Sequence, residues 1–131
     1  MNRSTTRAAL AALALALATA LPAHAHGDDH SHAPLHGGVV TEAGDMDYEL
    51  VAQPERITLH LRDHGKPAKT EGASARLTLL SGSDKTEATL TPAAAGTLEA
   101  KGQFKVAPGT KVVALVTLPG KKAANVRFAV K

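Results

Sequence analysis

The stretch that decides the fold is MDYELVAQPERITLHLR, residues 46–62. Apolar and polar side chains alternate on both sides of a central turn at Gln53-Pro54-Glu55. Successive side chains of a strand point to opposite faces, so this period of two predicts two half-buried strands. Asp47, Glu49 and His60 fall on their polar faces. Pairing of the two strands as a hairpin would make His60 a neighbour of Glu49.

Short β-type runs separated by turn residues continue outward from this stretch as far as the C-terminus. The turn signals are Asp63-His64-Gly65-Lys66, Ser81-Gly82-Ser83-Asp84, Pro108-Gly109 and Pro119-Gly120. Residues 111–118 are apolar on both faces, which is typical of a central strand. Seven or eight strands at this spacing predict an all-β fold. We favour a small antiparallel β-sandwich of the immunoglobulin-like kind, with a small barrel as the alternative.

The first 25 residues have the three parts of a secretory signal peptide. Arg3 and Arg7 precede an apolar run over residues 8–21, and small residues close the segment at Ala23 and Ala25. The run is short for a permanent membrane helix. We therefore expect a cleavable signal helix at 1–25, a flexible His-rich arm at 26–35 and a β-domain at 36–131. The expected location is the periplasm. Cleavage is expected after Ala25, with cleavage after Ala23 as the alternative.

The composition of the processed chain excludes several classes of function. The full chain has 15 basic and 12 acidic residues; without Arg3 and Arg7 the balance is 13 against 12, or +1. The basic residues are scattered without interleaved aromatics, so we expect no nucleic-acid partner and no membrane contact after signal removal. Cys is absent, which excludes disulfides and thiolate ligands.

No sequence pattern indicates a catalytic centre. The chain lacks a Gly-rich phosphate loop, a G-x-S-x-G nucleophile turn and an H-E-x-x-H zinc motif. A copper enzyme built on an N-terminal His is disfavoured because the domain is small and poor in aromatic residues. We expect a protein that is not an enzyme.

The histidines at the start of the processed chain predict a metal site. The candidate ligands in this part are His26, Asp28, Asp29, His30, His32 and His36. Neutral imidazole is a preferred ligand of divalent copper, zinc, nickel and cobalt, and carboxylates add oxygen donors. Cleavage before His26 would also pair its imidazole with the free α-amino group. The alternative is a polar linker that merely contains many histidines.

Two further histidines lie in the β-domain. The alternation places His60 on a polar strand face and His64 in the following turn, which favours two ordinary surface residues. In the alternative the arm folds back and shares an ion with one of them. Met46 is the only methionine of the processed chain, so a soft site specific for Cu(I) is poorly supported.

The block Ala33-Pro34-Leu35-His36-Gly37-Gly38-Val39-Val40, with the later Asp63-His64-Gly65-Lys66-Pro67 turn, resembles a known family. It is similar to the small N-terminal heavy-metal-binding domain of periplasmic adaptor subunits of RND-type metal efflux systems. The resemblance implies a role in metal resistance, an efflux component as partner, and His36 as a ligand. The chain lacks the coiled-coil, lipoyl and barrel regions of those adaptors, so it looks like a stand-alone version of the domain.

Two other functions stay open at this point. The architecture is also similar to that of small periplasmic copper carriers of the CopC type, which combine an exported β-sandwich with an N-terminal His ligand. The other alternative is a module that binds a partner protein, with the arm as a tether. It is favoured because the strands carry alternating polar and apolar side chains and the sequence shows no set of catalytic residues.

Overall fold

The computed structural model of the chain describes residues 32–131. The predicted signal peptide and the candidate ligands His26, Asp28, Asp29 and His30 lie outside these residues. Within them the chain forms antiparallel strands and no helix, which confirms the all-β prediction. The strands are β1 Val39–Ala43, β2 Met46–Gln53, β3 Arg56–Asp63, β4 Lys66–Pro67, β5 Ser74–Ser81, β6 Asp84–Pro92, β7 Thr97–Lys101, β8 Lys111–Thr117 and β9 Ala124–Ala129.

The strands form one nearly closed sheet that is nearer to a barrel than to a clear sandwich. Their order is β1-β2-β3-β7-β6-β5-β8-β9, and the short β4 pairs with β3 outside this path. The two ends of the sheet meet where Thr41 Oγ1 donates a hydrogen bond to the Arg127 carbonyl at 2.7 Å. This contact sets the two edge strands, β1 and β9, beside each other, so neither edge faces open solvent along its whole length.

The interior is filled by side chains from alternate positions of the strands. The fully buried apolar residues include Ile57, Leu59, Leu61, Leu77, Leu79, Leu90, Leu98, Val112, Val116 and Val126. Burying each of these large aliphatic side chains stabilises the fold by about 1.5–3 kcal/mol. The alternation seen in the sequence therefore assigns the core face of these strands correctly.

Two local expectations, for β2 and β8, differ from the structure. All five residues 46–50 are buried, so the first half of β2 is not half-buried. In β8, Leu115 is 39% exposed, so this strand is buried on one face only. Residues 103–107 form no strand, because Gly102 and Phe104 donate their N–H groups to the carbonyls at the β2–β3 turn instead. None of the described residues forms a helix with the length and hydropathy to span a bilayer.

Candidate metal centre

The carboxylate of Glu49 on β2 anchors the segment that precedes β1. It accepts backbone N–H bonds from Leu35 at 3.1 Å, His36 at 2.7 Å and Gly38 at 3.1 Å. Glu49 is fully buried, although it lies on the outer face of β2. A buried charge is tolerated when hydrogen bonds replace its water. Glu49 therefore holds residues 32–38, which we call the docked segment, against the outside of the sheet.

Two glycines allow the docked segment to approach this closely. Gly37 has a positive φ of 73°, a conformation that L-residues with a side chain rarely adopt. A Cβ on Gly38 would lie 2.3 Å from the Leu50 carbonyl oxygen and 3.0 Å from Glu49 Cγ. The backbone of residue 38 can therefore reach Glu49 only when its side chain is absent. The His-Gly-Gly motif and Glu49 form one structural unit.

His36 completes the contact with Glu49 and covers His60. Its Nδ1 lies 3.0 Å from Glu49 Oε2. Its ring stacks on that of His60 with the centroids 3.7 Å apart and an interplanar angle of 1°. Imidazole nitrogens bind metals through lone pairs in the ring plane, and lone pairs in parallel stacked planes do not converge on one ion. In this arrangement the two rings are packed together and do not form a chelate.

The ligand atoms that do converge belong to His32, Glu42 and Asp47, which lie within 4.8 Å of one another. His32 Nδ1 is 2.7 Å from Asp47 Oδ1 and 3.8 Å from Glu42 Oε2. The Asp47 side chain is 5% exposed, whereas those of His32 and Glu42 are 54% and 57% exposed. This group has one fixed, buried carboxylate and two ligands open to solvent.

A buried arginine lies beside the group. Arg62 donates to the Ala33 carbonyl at 3.1 Å, and its Nη2 is 3.9 Å from Asp47 Oδ2. Among the described residues its Nε has no hydrogen-bond partner. Arg62 thus fixes the docked segment at a second point and lowers the net negative charge of the group by one.

The same contacts shift the pKa values of two groups in opposite ways. Burial alone would raise the pKa of Glu49, but the hydrogen bonds from His36 and from the backbone N–H groups hold it at about 2. The hydrogen bond to Asp47, aided by its charge, raises the pKa of His32 above 6.5. Both shifts favour the charged form that the contact needs.

The pKa of His60 is shifted downward, opposite to the shift of His32. Burial lowers its pKa below 6.5, and the nearby charge of His36 lowers it further, while Glu49 opposes both. A histidine whose pKa is depressed by folding stabilises the folded state when it is neutral. This contribution is lost as the pH falls below 6.5.

We expect an NMR titration of the imidazole signals to separate these two histidines. His32 should titrate above pH 6.5 and His60 below it, because one faces a carboxylate and the other is covered by a second ring. Replacing His36 with Ala should move the pKa of His60 upward, since it removes both the cover and the charge. Titration of His32 below His60 would contradict the arrangement.

The structure brings together some of the predicted ligands and separates others. His32 joins a convergent group, and His36 and His60 form a stack next to it. The pairing of Glu49 with His60 across β2 and β3 is confirmed. His60 is half-buried and therefore not an ordinary surface residue. His64 lies in the turn between β3 and β4, with Nδ1 2.6 Å from Asp63 Oδ1.

Three carboxylates of this region were not predicted as site residues from the sequence. The alternation placed Asp47 and Glu49 on a polar strand face. Glu42 was not singled out because isolated exposed acidic residues are common. The available signal was the pair of acids at alternate positions of a strand directly after the His-rich stretch. Antiparallel pairing of Glu42 with Asp47 then sets those two side by side.

No known protein family, curated protein or solved structure matches this chain. The resemblance to the adaptor domains therefore stays a prediction.

Proposed function

We propose that this chain is a periplasmic binding protein for a divalent transition metal, acting in metal resistance or homeostasis. The observation that carries the proposal is the convergence of His32 Nδ1, Glu42 Oε2 and Asp47 Oδ1 at the end of a His-rich segment. These three residues form the part of the proposed site that lies within residues 32–131. The ion is the cargo of the protein.

The spacing of the group supports a transition metal. Ligands about 2.0–2.1 Å from a tetrahedral zinc ion lie roughly 3.4 Å apart. The two distances from His32 Nδ1, 2.7 Å to Asp47 and 3.8 Å to Glu42, lie on either side of this value. Small side-chain rotations bring both into range, and both mobile side chains are more than half exposed.

The donor chemistry narrows the cargo to a divalent ion. One imidazole and two carboxylates suit zinc, copper(II), nickel and cobalt. The single sulfur near the site, Sδ of Met46, is in the core and accepts the Tyr48 hydroxyl at 3.9 Å. A soft monovalent ion has no thiolate or accessible thioether to bind among the described residues.

The preceding arm supplies further donors in this proposal. His30 is two positions before His32, so an extended chain places both rings on one side. His26, its α-amino group after processing, Asp28 and Asp29 are the remaining candidates. An efflux component is the proposed receiver of the ion, as the resemblance to adaptor domains implies.

Calorimetric titration with Zn(II), Cu(II), Ni(II) and Co(II) tests the proposal. We expect dissociation constants well below about 1 mM for at least one ion. Replacing Asp47 with Asn or His32 with Ala should weaken binding at least about 10-fold, because each removes a ligand. Affinity should fall as the pH is lowered, since the ion must displace the proton between His32 and Asp47.

The matched control is His64→Ala, which removes an exposed histidine outside the group. It should leave the affinity unchanged. Equal losses for His64→Ala and His32→Ala would show nonspecific binding to histidines, and the absence of binding below about 1 mM would reject the metal function.

A further inference from the structure

The outer face of strands β6, β5, β8 and β9 carries three ordered rows of side chains. The register places Thr89, Arg76, Leu115 and Asn125 in the first row, Glu87, Thr78, Val113 and Arg127 in the second, and Lys85, Leu80, Lys111 and Ala129 in the third. We call this surface the basic face. It is built by pairing of four strands and is not visible in any one segment of the sequence.

The charge on this face is almost entirely positive. Arg76, Lys85, Lys111 and Arg127 give four positive charges, and Glu87 gives one negative charge, so the balance is 4 − 1 = +3. Glu87 lies 3.7 Å from Lys85 Nζ. The processed chain as a whole is predicted to carry only +1, so the face concentrates positive charge.

Two large apolar side chains are exposed on this face, one in its first row and one in its third. Leu80 is 40% exposed and Leu115 39%, and these are two of the three large exposed apolar side chains among residues 32–131. Each has a basic cross-strand neighbour, Lys111 beside Leu80 and Arg76 beside Leu115. The surface therefore presents basic and apolar side chains next to each other.

The centre of the basic face lies on the opposite side of the sheet from the docked segment. The docked segment covers the outside of β2 and β3, the second and third of eight strands around the sheet. The centre of the basic face, β5 and β8, occupies the sixth and seventh positions. In a nearly closed sheet these positions are half a turn apart, and only the last strand of the basic face, β9, adjoins β1, which carries Glu42 of the metal group.

We propose that the basic face docks the protein on an anionic lipid bilayer surface. Phosphate headgroups accept hydrogen bonds from Arg and Lys, and an anionic membrane attracts basic surfaces without any shaped pocket. This inference goes beyond the metal function and does not depend on it. It departs from the expectation of no membrane contact, because the rows form only in the folded sheet.

Size and charge favour a membrane over two other occupants of this face, a partner protein and a second copy of the chain. Four strands about 4.8 Å apart, each contributing about five residues of 3.4 Å, cover roughly 300 Å². A stable protein interface takes about 20–30 residues from each partner, whereas the three rows present twelve. Binding to a charged surface instead accumulates with each cation. A second copy of the chain would bring +3 against +3 in a symmetric dimer.

The expected binding is weak and reversible. Each net cation next to an anionic surface raises binding roughly fivefold. Three net cations therefore predict a preference of roughly 100-fold for anionic over neutral vesicles. Salt near 1 M, where the screening length is about 3 Å, should remove the preference.

Cosedimentation of the purified protein with vesicles tests the proposal. We expect binding to vesicles of phosphatidylglycerol and phosphatidylcholine in equal parts, and only background binding to phosphatidylcholine alone. The double variant Arg76→Glu/Arg127→Glu changes the face from +3 to −1 and should bind both at background. The milder Arg76→Gln/Arg127→Gln should bind anionic vesicles at an intermediate level, with circular dichroism reporting the fold of each variant.

The matched control is Lys66→Glu/Lys69→Glu, which makes the same change in net charge at exposed positions in and just after β4, a strand that pairs with β3 and not with the strands of the face. It should retain most of the binding. Equal binding to both vesicles by the unmodified protein, or an equal loss in the control, would overturn the proposal. Binding to poly-glutamate without binding to anionic vesicles would also overturn it and would assign the face to an acidic protein partner.

Discussion

Replacing Glu49 with Gln is expected to lower the free energy of unfolding at pH 7 by about 3 kcal/mol. The pKa of this carboxyl is about 2 in the folded chain, against an ordinary value of 4.5. A difference of about 2.5 units corresponds to roughly 3 kcal/mol at 1.36 kcal/mol per unit. The carboxylate is completely buried, so water does not screen its contacts with the docked segment.

The substitution is nearly isosteric and acts through hydrogen bonding. Glu49 accepts three backbone N–H bonds and faces His36 Nδ1. The amide of Gln has one accepting oxygen, and its NH₂ group would point at donors. Leaving buried donors without an acceptor costs about 1–3 kcal/mol each. We therefore expect residues 32–38 to leave the sheet rather than rearrange on it.

The pH dependence of stability follows from the same pKa. A carboxyl whose pKa is lowered by folding stabilises the protein above its unfolded pKa of 4.5, and this stabilisation is lost as the pH falls toward about 2. Urea unfolding of the unmodified protein should therefore show stability decreasing between these two values. The Glu49→Gln variant should lack this part of the decrease.

Glu87→Gln is the control for this measurement. Glu87 is an exposed carboxylate on β6 whose contact with Lys85 is open to water, so its replacement should change stability by less than about 1 kcal/mol. Hydrogen exchange of the Leu35, His36 and Gly38 amides gives an independent readout, and only Glu49→Gln should accelerate it. Protection of these amides in the Glu49→Gln variant would contradict the anchoring role.

The strands could be predicted because their alternation reflects which side chains enter the core. The pattern over residues 46–62 predicted β2, β3 and the neighbour pair Glu49 and His60. It failed for the exposure of Asp47 and Glu49 because a period of two assigns polar residues to solvent. The pattern carries no information on a separate segment that covers this face and supplies hydrogen bonds to it.

Closure of the sheet and the metal group depend on contacts between distant parts of the chain. Thr41 and Arg127 meet across 86 positions, and no local pattern encodes that distance. Likewise, His32 was predicted as a ligand from composition, but its partners depend on where the docked segment lies. At Gly38 the decisive property is the absence of a Cβ, and this requirement comes from the contact with β2, not from the local sequence.

Replacing Gly38 with Ala is expected to destabilise the protein by about 1–3 kcal/mol, the usual cost of overpacking. The added Cβ would lie 2.3 Å from the Leu50 carbonyl oxygen and 2.9 Å from the carbon of that carbonyl. Both are backbone atoms of β2 and cannot rotate away. The strand that begins at Val39 must therefore shift, which also weakens the bond from Gly38 N to Glu49.

Gly102→Ala is the matched control for Gly38→Ala. Its Cβ would also meet a neighbour, but that neighbour is the ring of Phe104 at 3.1 Å, a half-buried side chain that can move. We expect a change in unfolding free energy below about 1 kcal/mol, because the lower entropy of the unfolded chain offsets part of the clash. Equal costs at the two positions in urea unfolding would contradict the close approach at Gly38.

The Gly38→Ala and Glu49→Gln variants should also be coupled to each other and to metal binding. Both act by freeing the docked segment, so the double variant should cost less than the sum of the two single changes, a coupling on the order of 1 kcal/mol. Neither residue is a ligand, yet both hold His32 beside Asp47, so each should weaken metal binding roughly 10- to 100-fold. Calorimetry on the double variant should then show little further loss. Independent, additive losses in affinity would mean that His32 reaches Asp47 without the help of the docked segment.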